Sequence, residues 1–330
     1  MSLLNIRKKS FDALFALCTL CAIAFLAACA GRIPAAQAKP PVVHIAWRPS
    51  TKSDTYQSVL LALRNAGADT TMLPQVRSQD ILYNENGMVR EECLTKKGMI
   101  KLEYAQKIRE NGEKRSNVAE IVRKNKIKAV VFTGGGDISP SLFNPPEEEQ
   151  NAGESFEPER DVSDFLLMEY CLEHDIPILA ICRGMQMLAV ITDGTIVQDF
   201  SLYYNERGQT YDNMHRQPPS ENQDYAVHDV AVTSADSIFR HIVGADALSR
   251  VPSWHHQGVL QTEKSRFVTT GYTVTSGIPL VEAMEVPGKK FALGVQFHPE
   301  IVVSGNPEGK EKEFFDYDTA MRFFEAIAGK

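Results

Sequence analysis

A short apolar run that stops at a cysteine and turns at once into a helix constrains this chain more than any other stretch. Ile176-Pro177-Ile178-Leu179-Ala180-Ile181 is rich in β-branched residues and reads as a buried strand. Cys182-Arg183-Gly184-Met185-Gln186 follows, and Met185, Leu188 and Ala189 then recur at helical spacing. Gly184 is expected to let that helix pack close to the strand it follows. A side chain on so sharp a turn stands at the carboxyl edge of a sheet, above a helix N-terminus. There the free N–H groups and aligned peptide dipoles favour a thiolate. The arrangement is the cysteine counterpart of the serine-centred nucleophile elbow. A lone free cysteine is more often inert core, so the weight falls on what the rest of the chain supplies.

The chain's 330 residues, 43% of them apolar, allow one large domain or two small ones. A formal net charge of −7, with no basic run beyond Arg7-Lys8-Lys9, argues against nucleic acid as a partner. The one long apolar stretch is N-terminal. Arg7, Lys8 and Lys9 make a basic n-region, Phe11 to Leu26 an apolar h-region, and the run ends in Leu26-Ala27-Ala28-Cys29. This resembles the lipobox of bacterial lipoproteins, which implies a signal peptide over 1–28 and a lipid anchor on Cys29. A membrane-anchored protein on the periplasmic or extracellular face would follow. Ordinary cleavage at a small-x-small site, or an uncleaved anchor, is the alternative. Residues 29–41, rich in Ala and Pro, read as a tether to a catalytic domain over 42–330. Beyond the leader, Cys93, Cys171 and Cys182 remain. In an oxidising compartment Cys93 could pair with Cys171 and leave Cys182 free.

Strands are expected over 41–47, 70–73 and 129–133, with helices over 56–66 and 118–126 between them and over 161–174 before the Cys182 strand. That alternation predicts an α/β fold with a mostly parallel central sheet and helices on both faces. After Thr195 the chain turns β-rich (225–232, 267–274, 280–285, 291–297), and a helix over 317–328 closes it. The charged stretch 78–116 reads as an insertion at the sheet's edge or over a pocket, more often a solvated decoration than a lid. Ile100, Tyr104 and Ile108 mark a short helix within it.

Two further segments end strands. Gly134-Gly135-Gly136-Asp137 can bring backbone N–H groups close to a ligand, and serves equally as a phosphate cradle or a tight turn. His298-Pro299-Glu300 supplies a base and a carboxylate that can return to it from an extended segment, although the tripeptide alone is also an ordinary loop. A cysteine hydrolase needs a thiolate, a base near it and a group that orients the base.

Taken together, Gly135-Gly136-Asp137, Cys182-Arg183-Gly184-x-Gln186 and Gly294-Val295-Gln296-Phe297-His298-Pro299-Glu300 resemble class I glutamine amidotransferase domains, whose fold is flavodoxin-like. Ser253-Trp254-His255-His256-Gln257, Arg160-Asp161 and Gly194-Thr195-x-x-Gln198-Asp199 are more closely similar to γ-glutamyl-γ-aminobutyrate hydrolases, the peptidase C26 group. The resemblance implies Cys182 as nucleophile, His298 as general acid/base and Glu300 as its orienter. It also implies an oxyanion hole from the Gly136 and Arg183 backbone N–H groups, with Gly135 shaping the loop. Gln186, His255, His256 and Gln257 would bind a small γ-glutamyl substrate; for the His pair, capping or core hydrogen bonding is the competing reading. His215 and His228 have no assigned partner and are taken as structural. No metal-ligand spacing stands out and no cofactor is implied. A glutaminase feeding ammonia to a synthetase, and a γ-glutamyl-binding lipoprotein without turnover, are the rival functions.

Overall fold

The structure, a computed structural model, describes residues 39–143, 156–216, 225–305 and 314–330. The leader, Cys29 and nearly all of the tether lie outside the described residues. Pro41–Lys330 form one compact unit. Its elements run β1 (Val42–Ile45), α1 (Asp54–Asn65), β2 (Asp69–Met72), α2 (Leu102–Asn111), α3 (Val118–Asn125), β3 (Val130–Phe132), α4 (Pro158–Glu173) and β4 (Ile178–Ile181). Then come α5 (Arg183–Ile191), β5 (Thr195–Val197), α6 (Phe200–Asn205), β6 (Ala226–Val232), α7 (Ile238–Val243), β7 (Ala247–Ser253) and β8 (Gly258–Leu260). β9 (Val268–Thr275), β10 (Ile278–Glu285), β11 (Ala292–Val295), α8 (Pro299–Ser304) and α9 (Tyr317–Ile327) complete the chain. No helix among the described residues is long and apolar enough to cross a membrane.

The strands make one mixed sheet in the order β2-β1-β3-β4-β11-β10-β9-β6-β7, with β8 pairing to β10 and β5 to β8. From β2 to β11 all pairings are parallel. From β11 onward they are antiparallel. β3, β4 and β11 are buried at every position, as strands covered by helices on both faces must be. The period of two divides β4 cleanly: Ile178 and Ala180 join the core beneath α3, α4 and α5, whereas Leu179 and Ile181 join the one beneath α1, α7 and α9. The β-rich half foreseen in the sequence is therefore a continuation of the central sheet.

Three local expectations are corrected. Gly184 packs against the neighbouring strand β3: a Cβ there would lie 2.6 Å from the Phe132 carbonyl oxygen. Residues 78–116 are no solvated decoration. Ile81, Val89, Cys93, Ile100, Ala105 and Ile108 are buried in the main core, and the backbone of Val89 and Ile100 donates to Glu159 (2.7 Å) and Ser139 (3.0 Å). The segment thus packs onto the start of α4 and the end of the glycine loop. Cys93 and Cys171 are both free and buried; Cys93 Sγ accepts the Leu82 N–H, and burial pushes the Cys171 thiol up.

Candidate active site

The turn at Cys182 is made under strain. Its φ of 52° and ψ of −108° place a β-carbon-bearing residue in a left-handed region, at a cost of about 1–3 kcal/mol. The cysteine N–H bonds to the Val295 carbonyl at 2.8 Å, and α5 begins with the next residue. Because β4 and β11 are parallel neighbours with Ile181 opposite Val295, the residues just past each strand end fall together. Cys182 and His298 are those residues. Both line one cavity of about 240 Å³.

His298 is held from three sides. Its backbone N–H donates to Pro252 at 2.9 Å, Tyr225 meets its ring edge-on at 5.4 Å, and Nδ1 lies 2.8 Å from Glu300 Oε1. Glu300 lies in a helix and not in the extended segment expected from the sequence. Pro299 is the first residue of α8 and Glu300 falls in its first turn, so a helical turn returns the carboxylate to the imidazole. Nδ1 thus engaged leaves Nε2 buried without a hydrogen-bond partner. Burial alone draws the His298 pKa down; its interactions with Glu300 first and then Cys182 outweigh it and raise it to about 10.

The glycine loop also lines the cavity, through Gly135 and Gly136, and Arg160 holds it by its carbonyls. Arg160 donates to the carbonyl oxygens of Thr133 (3.0 Å) and Gly134 (3.1 Å). Peptide planarity then directs the N–H groups of Gly134 and Gly135 away from Arg160. A Cβ at Gly134 would lie 3.0 Å from His298 Cε1, and one at Gly135 would collide with Arg160 Nη1 at 2.1 Å. The Gly136 N–H is engaged by Glu157 Oε2 at 3.3 Å. Behind the loop Arg183, itself buried, bonds Asp164 at 2.6 Å and Asp161 at 2.5 Å. Asp161 also accepts the Ser139 N–H and hydroxyl. Burial pushes the Asp161 carboxyl up to about 6 against the pull of Arg183 and Ser139.

Gln186, His255, His256 and Gln257, all expected at the site, line the cavity. They do different work. His256 bridges two carboxylates, with Nε2 3.2 Å from both Asp137 oxygens and Nδ1 3.3 Å from Asp199. Gln257 donates to the Gln198 carbonyl at 3.1 Å. His255 turns its ring into a buried group with His215, His228 and Glu282, so the two histidines taken as unpartnered meet the one assigned to substrate. The cavity also holds Thr55, Asp137, Trp254 and Arg216, the guanidinium lying 4.9 Å from the Trp254 ring. None of these four was singled out from the sequence as a binding residue. Asp137 carried a signal in the glycine-loop motif, whereas Arg216 had none.

Residues 108–300 match the Peptidase C26 family. Protein NtpR of Enterococcus hirae is 31% identical over 194 residues, 58% of this chain and 74% of that protein. The gamma-glutamyl-gamma-aminobutyrate hydrolase of Escherichia coli O157:H7 is 32% identical over 181 residues, 53% of this chain and 65% of the hydrolase. A Trypanosoma brucei CTPS glutaminase domain with bound acivicin aligns with a TM-score of 0.46 at 17% identity, over 87% of this chain and 93% of that one. The family match covers more than half of the sequence and takes in the elbow, the glycine loop and the His-Pro-Glu turn: this chain belongs to the peptidase C26 family.

Proposed function

We propose that this protein hydrolyses small γ-glutamyl amides through a thioester on Cys182. The observation that carries the reading is the strained elbow cysteine beside an imidazole whose far nitrogen is fixed by Glu300 at 2.8 Å. The raised His298 pKa favours an imidazolium beside the Cys182 sulfur, as a cysteine hydrolase requires. The thiolate attacks the γ-carbonyl carbon, and the oxygen becomes an oxyanion facing the N–H groups of Gly136 and Arg183, with Gly135 shaping the loop. Gly136 must exchange Glu157 for the substrate oxygen, so the hole is completed on binding. Collapse breaks the C–N bond while His298 gives its proton to the leaving amine. His298 then takes a proton from water, hydroxide attacks the thioester carbon, and glutamate leaves as Cys182 regains its thiolate.

The cavity suits the glutamyl half. Arg216 offers a cation for the α-carboxylate, and Asp137, shared with His256, offers an anion for the α-ammonium. Selectivity then resides in the L-glutamyl group, because misplacing its charges forfeits the contacts with buried Asp137 and half-buried Arg216. The leaving amine is loosely specified. Glutamate release from matched L- and D-γ-glutamyl amides tests this: faster L turnover is expected. Release from neither would end the hydrolase reading, and faster D turnover would point to wall-derived substrates. We also place the protein outside the cytoplasmic membrane, anchored through Cys29. Fatty-acid labelling abolished by Cys29→Ser is the expected result; unlabelled wild type would refute it.

A further inference from the structure

His215, His228 on β6, His255 after β7 and Glu282 on β10 converge in the interior, their ligand-capable atoms all within 4.8 Å of one another. His215 Nδ1 lies 3.2 Å and His255 Nε2 3.9 Å from Glu282 Oε1, and His228 Nε2 lies 3.7 Å from Oε2. Four ligands around zinc at its usual bond lengths stand roughly 3.3–3.5 Å apart. The separations bracket that value.

The outward ring nitrogens are each anchored. His255 Nδ1 is 2.7 Å from the Gln257 carbonyl, His228 Nδ1 is 3.3 Å from the Asp229 carbonyl, and His215 Nε2 is 3.1 Å from Thr275 Oγ1. Metal-bound histidines are oriented in this way, the outer N–H donated so that the inner lone pair faces the ion. The inward atoms are not satisfied by one another. Both Glu282 oxygens and His215 Nδ1 are buried without a hydrogen bond. Ser253 Oγ reaches His228 Nε2 (2.8 Å) and His255 Nε2 (3.1 Å), but its single proton can serve only one of them. A buried carboxylate with no donor, facing three imidazoles, lacks a positive centre.

We propose that His215, His228, His255 and Glu282 form a structural site for one zinc-class divalent cation. Three imidazoles and a carboxylate are a donor set of borderline softness that suits zinc. Four protein ligands with no open position mark the site as structural. Its role is to lock the turn that carries His255 and His256, and with it the substrate-side wall of the cavity.

Zinc titration of chelator-stripped full-length protein tests this, read by equilibrium dialysis with metal analysis and by melting temperature. The work is done in parallel on Cys182→Ala, so that metal taken by the thiolate is not counted. About one zinc per chain is expected in both proteins, with a rise in melting temperature. Affinity should fall more than about tenfold in Glu282→Gln. Should that variant fail to fold, cobalt-loaded Cys182→Ala gives an independent reading, since a tetrahedral nitrogen–oxygen site yields intense visible bands. No zinc retained in Cys182→Ala, or octahedral cobalt bands, would overturn the proposal. So would binding indifferent to Glu282→Gln but lost in His174→Ala, which would place the metal on the exposed Glu113–Glu173–His174 group.

Discussion

The two walls of the cavity are backed by buried polar clusters of opposite character. Behind Cys182 and the glycine loop, in the parallel half of the sheet, Arg160 and Arg183 face Glu157, Asp161 and Asp164 at 2.5–3.4 Å. Behind the wall that carries His255 and His256, in the antiparallel half, Glu282 faces three imidazoles and accepts no hydrogen bond. Burial pushes Glu282 up to about 7 and draws His215 down to about 4. Equal burial thus has two meanings. Where each charge has its opposite, the cluster is scaffold; where bases surround an acid without a donor, the cluster is a place for something else.

Variants at the elbow give the largest effect and set the scale for the rest. Cys182→Ala should lower turnover by about 10⁴-fold or more with the fold retained, since little packed bulk is removed. His298→Ala should cost a comparable factor and Glu300→Gln less, because Glu300 orients and does not react. Steady-state glutamate release with circular dichroism as a fold control checks all three. Appreciable activity in Cys182→Ala would break the assignment of chemistry to the parallel wall.

The two clusters should respond oppositely to loss of charge. Arg183→Met leaves Asp161 without its cation, Asp164 keeping Arg160 at 3.4 Å, and should destabilise by about 3–5 kcal/mol in urea unfolding. In chelator, Glu282→Gln should be neutral or stabilising, because it removes a carboxylate without donors. Similar losses from both would erase the contrast.

A third effect depends on pH. The folded pKa of His298 lies above its unfolded value of 6.5, so its contribution to stability is full below pH 6.5 and is lost as pH rises towards 10. Cys182→Ala removes one of the negative charges that raise it and should shift the His298 titration downward, which histidine NMR would follow. An unshifted titration would separate the base from the nucleophile. Least of all, Cys182→Gly should be more stable than Cys182→Ala by about 1 kcal/mol, because glycine tolerates the positive φ.

What was legible in the sequence was local. The elbow, the glycine loop and His298 declare themselves within a few residues, since strand, turn and helix signals adjoin the reactive atom. Pro299 was a readable signal too, as a helix-opening proline, and missing it put Glu300 in an extended segment. Residues 78–116 deceived because their apolar positions are isolated among charges: Ile81, Val89, Cys93 and Ile100 follow no helical or strand period, and isolated bridges such as Leu94 with Ile100 hold the segment. The His215–Glu282 group could not be seen at all. Its members come from separate strands and loops, and only pairing of β6, β7 and β10 through the antiparallel half brings them together.

Covalent trapping tests the central claim most directly. An electrophilic glutamine analogue should label one cysteine stoichiometrically, and peptide mass analysis should find the label on Cys182, with an L-γ-glutamyl amide protecting it. Label on Cys93 or Cys171, or no label while glutamate is still released, would contradict the account.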